Sequence, residues 1–465
     1  MSKVDMKKAG GYYLFGNLFN KGFAFITVPI FSRILSTSDY GIVTTYNSWI
    51  SILSMIIGFA IYMGIRAAFV DYRDRIDDFL SVSTTFTISM GLIVSLFVIG
   101  GLKLVKINVS ITLIYLCLLQ GVAAAIIQNY SMYLMMQYRY KFRTALMVLP
   151  NLISVVVSIV AVLFIAKQKP YMGRIVPTLL VHVVFGFIIV CLIYKKSKVL
   201  INMEYLKYGL SISAPLVLHG IALNILSQSD RTMITALADI SQTGIYSLIY
   251  NFSMIATVIT TSLDGIWIPW FTEKLKNNQV SEVNTKVKDY IMIMTYAMIG
   301  VILVGPEVVK LLAPQKYWEG IRIIPPIVLS NYVIFAYTLY VNIEHFYKKT
   351  LYITINTVIA AGINIVLNLI LIPKYGYVAA AYTTLISYII SFILHANYAR
   401  KLVHDLYPFT YFVGSSIIII VSVFAFYFFM NTVLIRWGLL LLILLTIGIK
   451  ERRKIKELLL KNRLS

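Results

Sequence analysis

The side chains that stand out for chemistry are Lys21, Asp264, His182, His219, Glu307 and Lys310, each set within a long apolar run. An ionisable group at a bilayer centre costs about 2.5–3.5 kcal/mol, so such groups usually face a cavity. Lys21 could attract an anion there. Asp264 could bind a coupling cation or answer Lys21, and the two could equally form a buried structural ion pair. His182 and His219 could relay protons or sit hydrogen-bonded in the interior. Glu307 and Lys310, three residues apart, suit a local i,i+3 pair. Arg33, Arg66 and Arg231 stand at helix mouths. There a guanidinium can hold a phosphate bidentately or anchor to the interface.

Other patterns carry less chemistry. Asp71, Asp74, Asp77 and Asp78 could hold Mg²⁺ against a diphosphate, but Arg66, Arg73 and Arg75 are interleaved and no second acidic cluster faces them. A solvated mixed-charge loop is the better reading. Gln120, Gln128 and Asn129 in one run, and Asn356, Asn364 and Asn368 in another, suit sugar hydroxyls or, better, hydrogen bonds between helices. There is no Ser-His-Asp set, zinc spacing or phosphate-cradling glycine loop. Cys117 and Cys191 both fall inside apolar runs, so no disulfide framework is expected.

These residues must be carried by membrane helices. The chain is 59% hydrophobic and 13% charged with mean hydropathy +0.82, a surface that would aggregate in water. Fourteen apolar segments are long enough to span: 10–34, 42–66, 79–101, 109–136, 144–166, 173–194, 207–229, 243–270, 287–312, 321–343, 350–372, 377–399, 409–430 and 432–449. They are too long and too uniformly apolar for barrel strands. The reading is an all-α polytopic membrane protein, with twelve spans as the alternative count.

The net charge of +22 does not point to nucleic acid, because 28 of the 41 Lys and Arg fall on one side of the alternating gaps. That is the positive-inside pattern with both termini cytoplasmic. Lys167–Arg174 is the exception. Anionic headgroups account for most of the charge. The first run, containing Asn17, Asn20 and Lys21, is expected to stay as a helix rather than leave as a signal peptide.

Organisation follows from the gaps. None is long enough for a folded catalytic domain. The segment 195–206 is the natural midpoint, giving lobes 1–200 and 201–402, a terminal helix pair 403–450 and a basic tail 451–465 that suits the inner leaflet surface. Helices two and eight share Gly41-Ile42 and Gly244-Ile245, followed by Tyr46-Asn47 and Tyr250-Asn251. Six helices per half make such repeats parallel. Pro29, Pro215, Pro269, Pro306 and Pro325-Pro326 fall inside spans and can bend them.

Three stretches carry a resemblance: NKGFAFITVPIFSRILSTSDYGIVTTY; SQSDRTMITALADISQTGIYSLIY, with Asp230-Arg231 and Gly244-x-Tyr246; and IPKYGYVAAAYTTLIS, with Pro373, Tyr375-Gly376 and Ala379-Ala380-Ala381. Together they resemble the O-antigen and repeat-unit polysaccharide flippases. That branch belongs to the superfamily that also holds multidrug and toxin extruders and the lipid II flippase. Ala379 stands where the family usually has Gly.

The resemblance implies two six-helix lobes around a central, cationic cavity lined by helices one, two, seven and eight. It implies a transporter, not an enzyme, that moves an undecaprenyl-diphosphate-linked oligosaccharide from the cytoplasmic to the outer leaflet of the bacterial inner membrane, in lipopolysaccharide or related biosynthesis. Lys21 and Arg66 fit that placement; from their positions in the spans, Arg33 and Arg231 would also serve the substrate, with Asp264 and His219 for ion coupling. No cofactor is expected beyond a coupling Na⁺ or H⁺. Partners would be the lipid-linked oligosaccharide, membrane lipids, and the polymerase and chain-length proteins of the same pathway. A cation-coupled drug exporter of the superfamily, or a membrane polymerase or glycosyltransferase, are the rival readings.

Overall fold

The computed structural model describes residues 22–23, 25–104 and 110–450. Lys21 and the basic tail 451–465 lie outside the described residues. Among those described there is no strand. The helices are α1 (Phe25–Ile34), α2 (Thr37–Gly58), α3 (Ile61–Asp71), α4 (Ile76–Leu104), α5 (Ile111–Met136), α6 (Tyr140–Val160) and α7 (Pro170–Lys196). There follow α8 (Met203–Leu237), α9 (Ile240–Lys276), α10 (Val280–Leu312), α11 (Ile324–Phe346), α12 (Thr350–Leu402), α13 (Thr410–Phe428) and α14 (Val433–Lys450). The chain is an all-α polytopic membrane protein. Of the described helices, ten are long and apolar enough to span, or eleven when the two parts of α8 are taken together. The count falls below fourteen because α12 contains two of the expected segments, and α1 and α14 are short in their described apolar part.

The first compact unit takes the described residues up to Leu248 together with Lys349–Ser391. Its core gathers Ile65, Phe79, Tyr133, Ile189 and Tyr205 from α3, α4, α5, α7 and α8. The expected span 42–66 is broken. Phe59 (φ 47°) and Ala60 (φ 49°) both adopt left-handed backbone and separate α2 from α3. Neither is glycine, so sequence gives no sign of the break, and surrounding structure must enforce it. Part of that structure is α8, which bends by 46° between Ala214 and Leu216. The residue between them, Pro215, lacks the amide that would continue the ladder. Ser213 Oγ donates to the Ala60 carbonyl at 3.1 Å, so the two breaks lie side by side.

Beyond the breaks, α2 and α8 run antiparallel along a polar seam. Thr45 bonds Thr235 (2.8 Å), Trp49 Nε1 donates to Thr232 (3.0 Å) and Ser51 Oγ donates to Asn224 (2.6 Å). Between membrane helices such side chains are a usual adhesive. At the far end, a Cβ on Gly41 would fall 2.0 Å from the Ile240 carbonyl oxygen, and one on Gly244 would fall 2.0 Å from that of Thr37. The repeated glycines thus let α2 and α9 touch backbone to backbone.

Arg174, the exception to the charge bias, is used inside this unit. It donates to Ser158 Oγ at 3.1 Å and stands 4.3 Å from the Phe31 ring. The aspartates of the α3–α4 turn are largely engaged: Tyr208 donates to Asp71, Tyr133 to Asp77 and Ser197 to Asp78. They anchor the turn to α5, α7 and α8.

The second compact unit takes Ile249–Lys348 and the described residues from Phe392 onward. Pro325-Pro326 do not kink a helix there. They open α11 in its first turn, where the missing amides have no partner to lose. Glu307 does not pair with Lys310 as expected. It takes a bidentate contact from the fully buried Arg436, whose Nη1 also donates to the Leu303 carbonyl at 2.6 Å, tying α14 to α10. Lys310 instead lies 5.5 Å from the Trp318 ring. His395 Nδ1 meets the Glu344 carboxylate at 2.9 Å with both side chains buried.

Candidate functional site

Asp230 on α8 is fully buried and stands at the centre of a polar network. Tyr246 and Thr384 donate to its Oδ2 at 2.6 and 2.7 Å, and Asn368 Nδ2 donates to Oδ1 at 2.8 Å. Asn364 lies behind, 3.2 Å from both Asn368 and Thr384, and Thr383 donates to Asn368 Oδ1.

Local structure explains the convergence. Asn364 and Asn368 are one helical turn apart on one face. Gly376 (φ 60°, ψ −146°) then breaks α12, so the residues after it return alongside those before it. The 53-residue α12 is therefore two arms, matching the expected segments 350–372 and 377–399. A Cβ at Gly376 would fall 2.1 Å from Gln242 Oε1, which accepts from the Tyr377 amide at 3.1 Å.

This arrangement suits exchange of a small cation. One carboxylate, two amide oxygens and three hydroxyls are hard oxygen donors carrying a single negative charge. Asp230, Asn364, Asn368 and Thr383 are the residues that could hold a monovalent ion. The hydrogen-bond donors on Asp230 among the described residues are neutral, and the neighbouring Arg231 acts on it through charge without forming an ion pair with it, so protonation or ion binding would not have to break a salt bridge.

A second feature is a polar cavity of about 380 Å³ between α3, α5, α6 and α7. Arg143, Gln128, Ser131, Asn151, His182 and Tyr62 line it. Arg143 Nε donates to Ser131 Oγ at 3.3 Å, and His182 Nδ1 bonds the Thr178 carbonyl at 2.7 Å, leaving Nε2 as the other hydrogen-bonding edge. One guanidinium among amides and hydroxyls can recognise a phosphate or sugar hydroxyls.

Of the residues expected to serve the substrate, Lys21 lies outside the described residues. Arg33 bonds its own helix at the Pro29 carbonyl (2.8 Å), and Arg66 is exposed. Arg231 is buried and donates to the Ser227 carbonyl and Gln228 Oε1 at 3.0 and 3.1 Å. Asp264, in the second unit, is half-buried with Tyr290 donating to it at 3.1 Å. His219 is half-buried on α8 in the first unit. The amides make the expected interhelical bonds: Tyr46 donates to Gln120 (2.8 Å) and Asn129 donates to Thr87 (3.0 Å). Sequence reasoning missed Arg143, Asn151 and Ser131 as a group.

The family described as polysaccharide biosynthesis protein matches residues 6–275. No curated protein matches the sequence. Among solved structures, the lipid II flippase MurJ in an inward closed conformation superposes with a TM-score of 0.69 at 16% identity, covering 96% of this chain and 99% of that one. An inward-facing multidrug resistance MATE family transporter of the MOP superfamily gives 0.64 at 13%, covering 85% and 98%. A Vibrio cholerae MATE transporter, VcmN, gives 0.55 at 12%, covering 87% and 97%. At these identities the likeness establishes a shared fold.

Proposed function

Given that the chain belongs to the polysaccharide biosynthesis protein family, we propose that it is a flippase for an undecaprenyl-diphosphate-linked oligosaccharide, working by alternating access in the bacterial inner membrane. The observation that carries the reading is the polar cavity around Arg143. Diphosphate and sugars cannot cross hydrocarbon without replacement of their water. A guanidinium, two amides, a hydroxyl and an imidazole supply such replacement, while the polyprenyl tail stays in lipid. Its volume falls within the ~300–1,000 Å³ range of small-molecule sites.

Coupling is assigned to Asp230, with Na⁺ or H⁺ held among the oxygens of Asp230, Asn364, Asn368 and Thr383. A bound cation supplies charge neutralisation of the carboxylate. With the charge neutralised, Tyr246 and Thr384 are released from a charged acceptor to a weaker one, and the arms of α12 can shift relative to α8. The α2–α8 seam suits a reversible closure, since its neutral bonds exchange readily with water.

The test is a leaflet-accessibility assay in proteoliposomes, with a membrane-impermeant glycosidase reading the arrival of sugar on the outer face. Arg143→Ala should slow flipping by about tenfold or more, and Asn151→Ala by less. Full-rate flipping in Arg143→Ala and in Arg143→Ala/Asn151→Ala would overturn the assignment. The fold also fits an ion-coupled drug exporter, because a MATE transporter superposes over 85% of the chain. Cation-driven dye efflux from the same vesicles, with no movement of the lipid-linked sugar, would favour that reading.

A further inference from the structure

We propose that the groove between α5, α6 and α7 at the basic end of the first unit binds one anionic phospholipid, with its phosphate among Arg139, Lys195 and Lys196 and one acyl chain along the apolar floor. The groove encloses about 610 Å³. Its rim and its floor differ in chemistry, and the difference matches an amphiphile.

The rim is cationic. Arg139 occupies the N-cap of α6, and Lys195 and Lys196 close the last turn of α7. Lys196 is partly committed: it lies 3.4 Å from Asp77 and donates to Tyr133 Oη at 2.9 Å. Arg139 and Lys195 are exposed and take part in no ion pair among the described residues. Asp77 is taken by Lys196 and Asp78 by Ser197, so Arg139 and Lys195 keep their charges outside any ion pair among the described residues.

The start of α6 adds to this field. No side chain caps it and no acid stands in its first turn. Its free amides and positive dipole end lie beside Arg139, and phosphate is the anion such a terminus accepts. The preceding residue, Tyr138, is left-handed (φ 55°), which makes the α5–α6 turn tight enough to put Arg139 on the same rim as Lys195.

The floor is aliphatic and aromatic. Leu146 and Ile189 lie buried at its base, while Phe142, Leu149, Ile188 and Leu192 stand exposed along its sides. Ala145 leaves a slot between the larger residues. From Arg139 to Leu149, and from Lys195 back to Phe185, the groove follows ten residues of each helix, about 15 Å. That is half of the roughly 30 Å hydrocarbon core. The groove thus has the depth of one leaflet and carries its cations only at the headgroup end. Basic pockets between helices at this level are the known chemistry of anionic headgroup binding.

The experiment uses the full chain purified in detergent, with lipid retention read by native mass spectrometry. The probes are phosphatidylglycerol and phosphatidylcholine of matched chains, with undecaprenyl phosphate as competitor. The wild type should prefer phosphatidylglycerol by on the order of 30-fold, and raising salt from 0.1 to 1 M should release it. Arg139→Gln/Lys195→Gln should abolish the preference. Ala145→Phe, which fills the slot and leaves the charges, should lower retention of both lipids. Equal retention of the two lipids by the wild type, salt-insensitive binding, or an intact preference in the double variant would overturn the proposal. So would displacement by undecaprenyl phosphate at equal concentration, which would assign the groove to the polyprenyl lipid. The salt titration needs no variant, so a misfolded mutant leaves the test standing.

Discussion

The two compact units hold their engaged carboxylates, Asp230 and Glu344 buried and Glu307 half-buried, in opposite ways. In the first, Asp230 is ringed by neutral donors from Tyr246, Thr384 and Asn368. In the second, Glu307 is locked to Arg436, and Glu344 faces His395. A salt bridge in low dielectric is held by the penalty of stranding either charge. A carboxylate among hydroxyls and amides keeps its charge open to a mobile counter-ion. The contrast separates a fastening from a place where charge can be exchanged, and four substitutions test it.

The largest loss is expected for Arg436→Leu, which strands Glu307 and two backbone carbonyls. Thermal unfolding in detergent should show about 3–5 kcal/mol of destabilisation, with part recovered in Arg436→Leu/Glu307→Leu. If the single variant unfolds like wild type, the fastening is not one. Asp230→Asn keeps shape and an acceptor oxygen, so stability should fall by only about 1–2 kcal/mol. Flipping driven by a cation gradient should nevertheless collapse, and persistence of gradient dependence would remove the exchange role from Asp230. Thr384→Val deletes one of three donors at about 1 kcal/mol, and should weaken the cation dependence without abolishing it. Asp264→Asn should matter least, below about 1 kcal/mol, since one tyrosine is its hydrogen-bond donor and it is half-buried. A larger transport defect there than in Asp230→Asn would invert the comparison.

Much of the fold was legible because lipid leaves few options: long apolar runs must be helices. The pair Asn364 and Asn368 was visible as an amide face. Asp230 entered the sequence reading only as the neighbour of Arg231. Its partners sit 138 and 154 residues away, beyond any local spacing rule. The same blindness assigned Glu307 to Lys310 one turn on, when Arg436, 129 residues distant, takes it. Counting i,i+3 neighbours finds pairs within a helix and is silent about pairs between helices. The break at Phe59–Ala60 was illegible for another reason. Left-handed backbone without glycine is imposed by tertiary contacts, here including the Ser213 hydroxyl, and carries no local signature. Arg143, Asn151 and His182 come from two helices and share a cavity only after α6 and α7 pack.

The reciprocal approach of Gly41 and Gly244 has a consequence for how this chain can vary. Elsewhere a bulkier residue can be accommodated by trimming its neighbour. At this crossing each glycine already abuts a main-chain oxygen of the other helix, and main chain cannot be trimmed. A methyl group added at either position can therefore be accommodated only by moving the two helices apart, which gives up the close crossing.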